Sequence, residues 1–255
     1  MPDASNPASN SAPNSAPHPE TETAPVLALT DLRSGYGAHD VLNGVALEVR
    51  AAEIFALMGK NGMGKSTLLK TVLGLVPARA GDVRRAGVSI LGATPAALVA
   101  SGLGYAPQEQ PLFVDLSIRD NLRLALRSDR ELPGALERVA AHFPFFLDRL
   151  GQKAGTLSGG EQKMLILSRA LMLRPRLLLI DEISEGLQPT VVARIAAALR
   201  AERDENGTAV LLVEQNLDFA LSVADRWAVL KLGAIDDEGD NDAQARDRVL
   251  AHLKI

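Results

Sequence analysis

Gly59-Lys60-Asn61-Gly62-Met63-Gly64-Lys65-Ser66 stands between two segments of opposite character. Ahead of it, Glu53-Ile54-Phe55-Ala56-Leu57-Met58 is an apolar run of strand length. Behind it, Thr67-Leu68-Leu69-Lys70-Thr71-Val72-Leu73 has apolar residues at helical spacing. A glycine-rich turn between a strand and a helix is the setting a phosphate-binding loop needs. Glycines let successive backbone N–H groups converge on one anion, and the helix N-terminus adds its partial positive charge. In that reading the stretch from Gly59 to Ser66, with Thr67, contacts a nucleotide. Lys65 reaches the β- and γ-phosphates, and the Ser66 hydroxyl ligates Mg²⁺. The bland alternative is a glycine turn with a stray lysine. The pattern arises by chance in about one chain in a hundred of this length, and its flanking elements favour the nucleotide site.

Working outward, the chain has 255 residues, enough for one large domain or two small ones. Hydrophobic content of 47% and charged content of 23% are those of an ordinary globular protein. The net charge of -4, without a basic run, gives no electrostatic case for nucleic acid. The most apolar segment, 86–104, is interrupted by Gly and Pro, well short of the ~18 residues of a membrane span. With no cysteine, disulfides, thiolate metal sites and a cysteine nucleophile are excluded, in keeping with a cytoplasmic location. Residues 1–24 are Pro, Ser, Asn and Ala with no large apolar residue after Met1. They read as a solvated, disordered tail without the marks of a signal peptide.

Val41-Leu42 and Val45–Val49 alternate like a half-buried strand pair, and 81–107 reads as short strands and turns. From Ser117 to about Leu150 the spacing is helical, broken by Pro133-Gly134 and Pro144. A helix is expected from Ser158 to about Leu173, then a buried strand from Arg176 to Asp181. A helix at 190–204, a strand at Ala209–Val213, a helix at 216–224, a last strand at Trp227–Lys231 and a closing helix at 242–254 follow. Strand–helix alternation around a phosphate loop implies a mostly parallel sheet covered on both faces, with a helical subdomain at about 108–173.

Asp181-Glu182 ends the buried strand. In a phosphate-loop enzyme a carboxylate there holds the Mg²⁺ shell, and its neighbour polarises the attacking water. A solvated acidic turn is the competing reading, and Lys65 upstream decides against it. Leu157-Ser158-Gly159-Gly160-Glu161 contains a capping box, Ser158 with Glu161. Two consecutive glycines in the first helical turn are nonetheless costly unless something approaches the backbone closely. A second phosphate site on this helix N-terminus accounts for them, and it need not serve the same nucleotide.

In motif content and order, residues 26–255 resemble the nucleotide-binding subunits of ATP-binding-cassette (ABC) transporters. The motifs are Gly59–Ser66, Gln108 after Ala106-Pro107, Leu157–Glu161, Leu177–Glu182 and Val213-Glu214-Gln215. The resemblance implies an α/β fold: a phosphate-loop NTPase core with a mostly parallel sheet, an antiparallel β subdomain and a helical subdomain over residues 25–255. It also implies that two ATPase subunits, identical or different, pair head to tail. ATP then lies between one subunit's phosphate loop and the other's Ser158, Gly159, Gly160 and Glu161. By the same resemblance Tyr36 stacks on adenine, and Gln108 senses Mg²⁺ and the γ-phosphate. Asp181 joins Ser66 and Gln108 at the metal, Glu182 is the general base, and Gln215 acts at the switch.

Gly151–Met164, Phe143-Pro144, Gly186-Leu187-Gln188-Pro189 and Val213–Asn216 are similar to the second ATPase subunit of importers of branched-chain amino acids and of their urea or amide relatives. That group implies two membrane permease subunits and a periplasmic solute-binding protein, with the ATPase peripheral on the inner face of the cytoplasmic membrane. Gln215 stands where most of the family has histidine, Gln188 where it has aspartate, and Ile183 where it has proline. The first two are subtype markers of the group. A soluble ABC ATPase of DNA repair or translation, and a regulatory subunit without turnover, are the rival readings. The absence of coiled-coil inserts or a fused second cassette disfavours the first, and Glu182 disfavours the second.

Overall fold

A computed structural model describes residues 24–108 and 112–253. Of the expected N-terminal tail, residues 1–23 lie outside the described residues. β1 (Leu27–Tyr36) and β2 (His39–Val49) form an antiparallel hairpin whose inward residues alternate along both strands. β3 (Ile54–Met58) is buried at every position and runs into the glycine loop, which α1 (Lys65–Val72) closes. β4 (Ala78–Arg85) and the short β5 (Val88–Ser89) return to the hairpin, making an antiparallel sheet of order β2-β1-β4-β5.

α2 (Pro95–Ala100) was not foreseen within 81–107. It has Thr94 as N-cap and Pro95 in its first turn, but at six residues it shows little periodicity. β6 (Leu103–Ala106) follows, and then the helical part. This comprises α3 (Ile118–Arg123), α4 (Leu132–His142), 3₁₀ turns at Pro144–Arg149 and Ala154–Thr156, and α5 (Gly159–Leu171). Pro133-Gly134 falls in the first turn of α4, so it opens that helix instead of breaking one.

β7 (Leu177–Asp181), α6 (Pro189–Asn206), β8 (Ala209–Glu214), α7 (Leu217–Val223) and β9 (Arg226–Lys231) come next, close to the expected ranges. Trp227–Lys231 is not the last strand. β10 (Ala234–Asp240) pairs antiparallel with β9 before α8 (Ala245–Leu253). β10 is mostly acidic and lies at a sheet edge, so it carries no apolar signature.

The second sheet has the order β10-β9-β3-β8-β7-β6, parallel apart from β10. β3, β7 and β8 are buried throughout because helices cover both faces. The helical part shares one apolar cluster with this sheet: Ile118, Leu122, Phe143, Phe146 and Met164 pack with Ile180 and Leu212. Ile183 is in the same cluster and 1% exposed, which gives it a packing role. Met58 lies opposite Glu214, Asp181 opposite Val213, and Ala106 opposite Ile180. The carboxyl ends of four adjacent strands therefore open onto one crevice, where ligands bind in such sheets.

Candidate functional site

The loop after β3 turns through Gly62 (φ 80°) and Gly64 (φ 104°), a backbone that residues with a Cβ rarely adopt. A Cβ on Gly64 would also stand 3.1 Å from Leu42 and 3.2 Å from Val41. Asn61, Gly62, Gly64, Lys65, Ser66 and Thr67 line a cleft of about 300 Å³, which Gln108 and Glu182 close from the far side. Lys65 is 4% exposed. Its Nζ donates to the carbonyls of Gly59 (2.8 Å) and Lys60 (3.1 Å) and lies 3.0 Å from Glu182 Oε1.

Next to it, Ser66 Oγ donates to Asp181 Oδ1 at 3.2 Å. A hydroxyl and a carboxylate in contact are the hard oxygen donors that Mg²⁺ takes, so the residues present fit that ion. Burial raises the Asp181 carboxyl above its ordinary range, while the Ser66 hydrogen bond opposes the shift. Glu182 is held at φ 43°, its N–H bonded to Val213 O at 2.9 Å. Gln108 Nε2 donates to Glu182 Oε2 and to Glu185 Oε2, both at 2.9 Å. Lys65, Glu182 and Gln108 are thus joined by an ion pair and hydrogen bonds within one chain, beside the Ser66–Asp181 pair.

Two residues of this network went unselected in the sequence. Lys163, on α5, donates to Gln108 O at 2.6 Å and so ties the helical part to the crevice. Burial lowers its ammonium pKa, against the pull of the surrounding carboxylates Glu185, Glu214, Asp181 and Glu182. Glu214 accepts from Ser184 N (3.0 Å) and Ser184 Oγ (2.9 Å), fixing the turn after Glu182, and burial raises its pKa to about 6. Glu214 was visible as part of the switch motif. Lys163 had no signal beyond its nearness to Ser158.

The other candidates lie outside this cleft. Tyr36 is 51% exposed at the end of β1. Lys60 and Met63 face the opposite side of the loop, toward Leu232 and Leu253, with the buried Gly59 beneath. Gln215 is exposed just beyond β8. Ser158 and Gly159 are exposed at the start of α5, where the capping box forms: Glu161 N donates to Ser158 Oγ (3.3 Å) and Ser158 N to Glu161 Oε2 (2.9 Å). Arg149 adds a bond to Glu161 at 2.6 Å. A Cβ on Gly160 would meet Val191 at 2.9 Å, so close packing of α5 on α6 already requires that glycine. A Cβ on Gly159 would meet open space.

The family model described as ABC transporter matches residues 42–185, from within β2 to just past Glu182. The chain belongs to the ABC transporter family. It is an ATP-binding ATPase of that family. The high-affinity branched-chain amino acid transport ATP-binding protein BraG of Pseudomonas aeruginosa is 37% identical over 212 residues, 82% of this chain and 91% of that protein. A probable branched-chain amino acid transport ATP-binding protein, LivF of Archaeoglobus fulgidus, is 32% identical over 216 residues, 84% and 92% of the two chains. Among solved structures, a nucleotide-free ATP-binding cassette from an ABC transporter superposes with a TM-score of 0.82 at 24% identity, covering 89% of this chain and 95% of that one. A cassette in its ADP conformation gives 0.81 at 24% identity, covering 90% and 96%. Those two likenesses bear on the fold, which is that of an ABC cassette.

Proposed function

We propose that this ABC ATPase powers import of a branched-chain amino acid across the cytoplasmic membrane. It would act from the inner face, paired with a second ATPase subunit and seated on two membrane permease subunits that a periplasmic solute-binding protein supplies. The observation that carries the chemistry is the single network joining Lys65, Glu182 and Gln108 beside the Ser66–Asp181 pair. The import reading is supported by the likeness to BraG and LivF over more than four-fifths of the chain. Among the described residues no helix is long and apolar enough to cross a membrane, so the proposed translocation path belongs to other subunits.

Bound ATP supplies the γ-phosphoryl group for transfer to water, and Mg²⁺ neutralises its developing charge. Ser66 and Asp181 would hold the metal, with Gln108 at its rim. Lys65 would exchange its loop carbonyls and Glu182 for phosphate oxygens. Glu182, freed of that ion pair but still oriented by Gln108, would take the proton of the attacking water. Tyr36 would stack on the base, and Gln215 would donate a hydrogen bond near the γ-phosphate without the proton-carrying role of an imidazole. Ser158 and Gly159, exposed outside this cleft, would face the partner's nucleotide together with the half-buried Gly160, with Glu161 fixing their helix start.

The test is ATP-dependent uptake of labelled leucine by proteoliposomes holding the permease subunits, both ATPase subunits and the solute-binding protein. Uptake that disappears with Glu182→Gln is expected. Uptake of urea or acetamide in place of leucine would redirect the substrate assignment. Uptake that persists in the Glu182→Gln variant would overturn the role given to that residue.

A further inference from the structure

The turn between β9 and β10 touches the phosphate loop from outside the cleft. Leu232 (φ 50°) and Gly233 (φ 80°) form a two-residue hairpin connection with both residues in the left-handed region. Glycine suits that geometry; leucine does not, and Leu232 at 74% exposure gains little burial in return. The β4–β5 turn, Ala86 (φ 46°) and Gly87 (φ 79°), has the same geometry, so what sets the β9–β10 turn apart is what it touches.

Its contacts tie it to the phosphate loop. Gly233 N donates to Met63 O at 3.2 Å, and Leu232 N to Met63 Sδ at 3.3 Å. The turn is held in turn by β2: Asn43 Nδ2 donates to Leu232 O (2.9 Å) and Asn43 N to Gly233 O (2.7 Å). A Cβ on Gly233 would lie 2.0 Å from Val41 O, so only glycine fits between β2 and the loop. One strand earlier the approach repeats, since a Cβ on Gly59 would lie 2.5 Å from Leu230 O.

In a planar trans peptide the carbonyl and the following N–H point in opposite directions. Holding Met63 O outward against Gly233 therefore turns Gly64 N–H inward, and Gly64 lines the cleft while Met63 faces the other way. With φ at 104°, Gly64 has the freedom to let this peptide flip if nothing restrains it. We infer that Leu232–Gly233, braced by Asn43, is a positioning element for nucleotide binding that fixes the Met63–Gly64 peptide with its N–H toward the phosphates. The inference rests on the phosphate-loop reading of residues 59–66.

The experiment uses the full chain as wild type, Gly233→Ala and Asn43→Ala. Asn43 is exposed, so its truncation leaves the fold intact. ADP affinity is read by calorimetry, and the Gly64 amide by NMR of glycine-labelled protein. Expected is a weakening of ADP binding by roughly tenfold in Gly233→Ala, the scale of one hydrogen bond to an ionised group, and a smaller weakening in Asn43→Ala. The Gly64 amide signal of the nucleotide-free protein should be displaced in both variants. A role confined to stability would lower the melting temperature and leave that signal in place. Wild-type affinity together with an unmoved Gly64 signal in Asn43→Ala would overturn the inference, even if Gly233→Ala fails to fold. Failure of the wild type to bind ADP would overturn the phosphate-loop reading itself.

Discussion

The phosphate loop and the start of α5 are held in different ways. The phosphate loop is gripped on every side by its own chain, with Lys65 inside it, Asp181 against Ser66 and the β9–β10 turn behind it. The start of α5 is held by the local capping box of Ser158 and Glu161, with Arg149 bonded to Glu161, and it leaves Ser158 and Gly159 open to solvent. A binding surface prepared by one polypeptide needs a rigid frame. One completed by a second polypeptide needs only a well-formed helix end, free to be approached. Substitutions at the two places should therefore separate binding by the single chain from turnover by the assembly.

The largest effect is expected for Glu182→Gln. Phosphate release by the assembled complex should fall by about 100-fold or more, while ATP binding is retained, because removing the carboxylate charge leaves Lys65 free for phosphate. Lys65→Ala should weaken ATP binding as well as turnover, with turnover down ~100-fold, the scale of losing one transition-state charge contact. A filter assay with labelled ATP beside a phosphate-release assay distinguishes the two variants. Ser158→Arg should leave ADP affinity of the isolated chain unchanged yet reduce hydrolysis in the complex by ~10-fold or more, through crowding at the open helix end. Equal loss of ADP affinity in the isolated chain would place Ser158 in its own subunit's site.

The smallest effect concerns stability, at Glu214. Burial raises its pKa to about 6 from an ordinary 4.5, so between those values the folded state binds more protons than the unfolded one. Stability from this group is full below pH 4.5 and is lost as pH rises through 6, by about 2 kcal/mol in order of magnitude. Glu214→Gln can keep both Ser184 contacts by accepting from the backbone N–H and donating to Oγ. Urea denaturation at pH 4 and pH 8 should show a larger gain in stability of this variant over wild type at pH 8 than at pH 4.

The same contrast explains what the sequence made legible. β3, β7 and the glycine loop announce themselves because buried parallel strands are continuous apolar runs and the loop needs glycine at fixed offsets. The pairing of Lys65 with Glu182 depends on strand order, which brings residues from β3 and β7 across β8, and no local pattern encodes that. β10 was missed because its acidic edge buries little, and α2 because it is too short for periodicity. Gly160 was read for ligand approach, whereas its packing on Val191 is a tertiary contact invisible in the chain. The brace at Gly233 was invisible for the same reason.

The most direct measurement is phosphate release by the purified wild-type chain, alone and with its partner subunits, each beside Glu182→Gln. Release that requires the partners and disappears in the variant is expected if one half of each site comes from another subunit. Release that is undiminished by isolation of the chain, or by loss of the Glu182 carboxylate, would contradict the composite site at its centre.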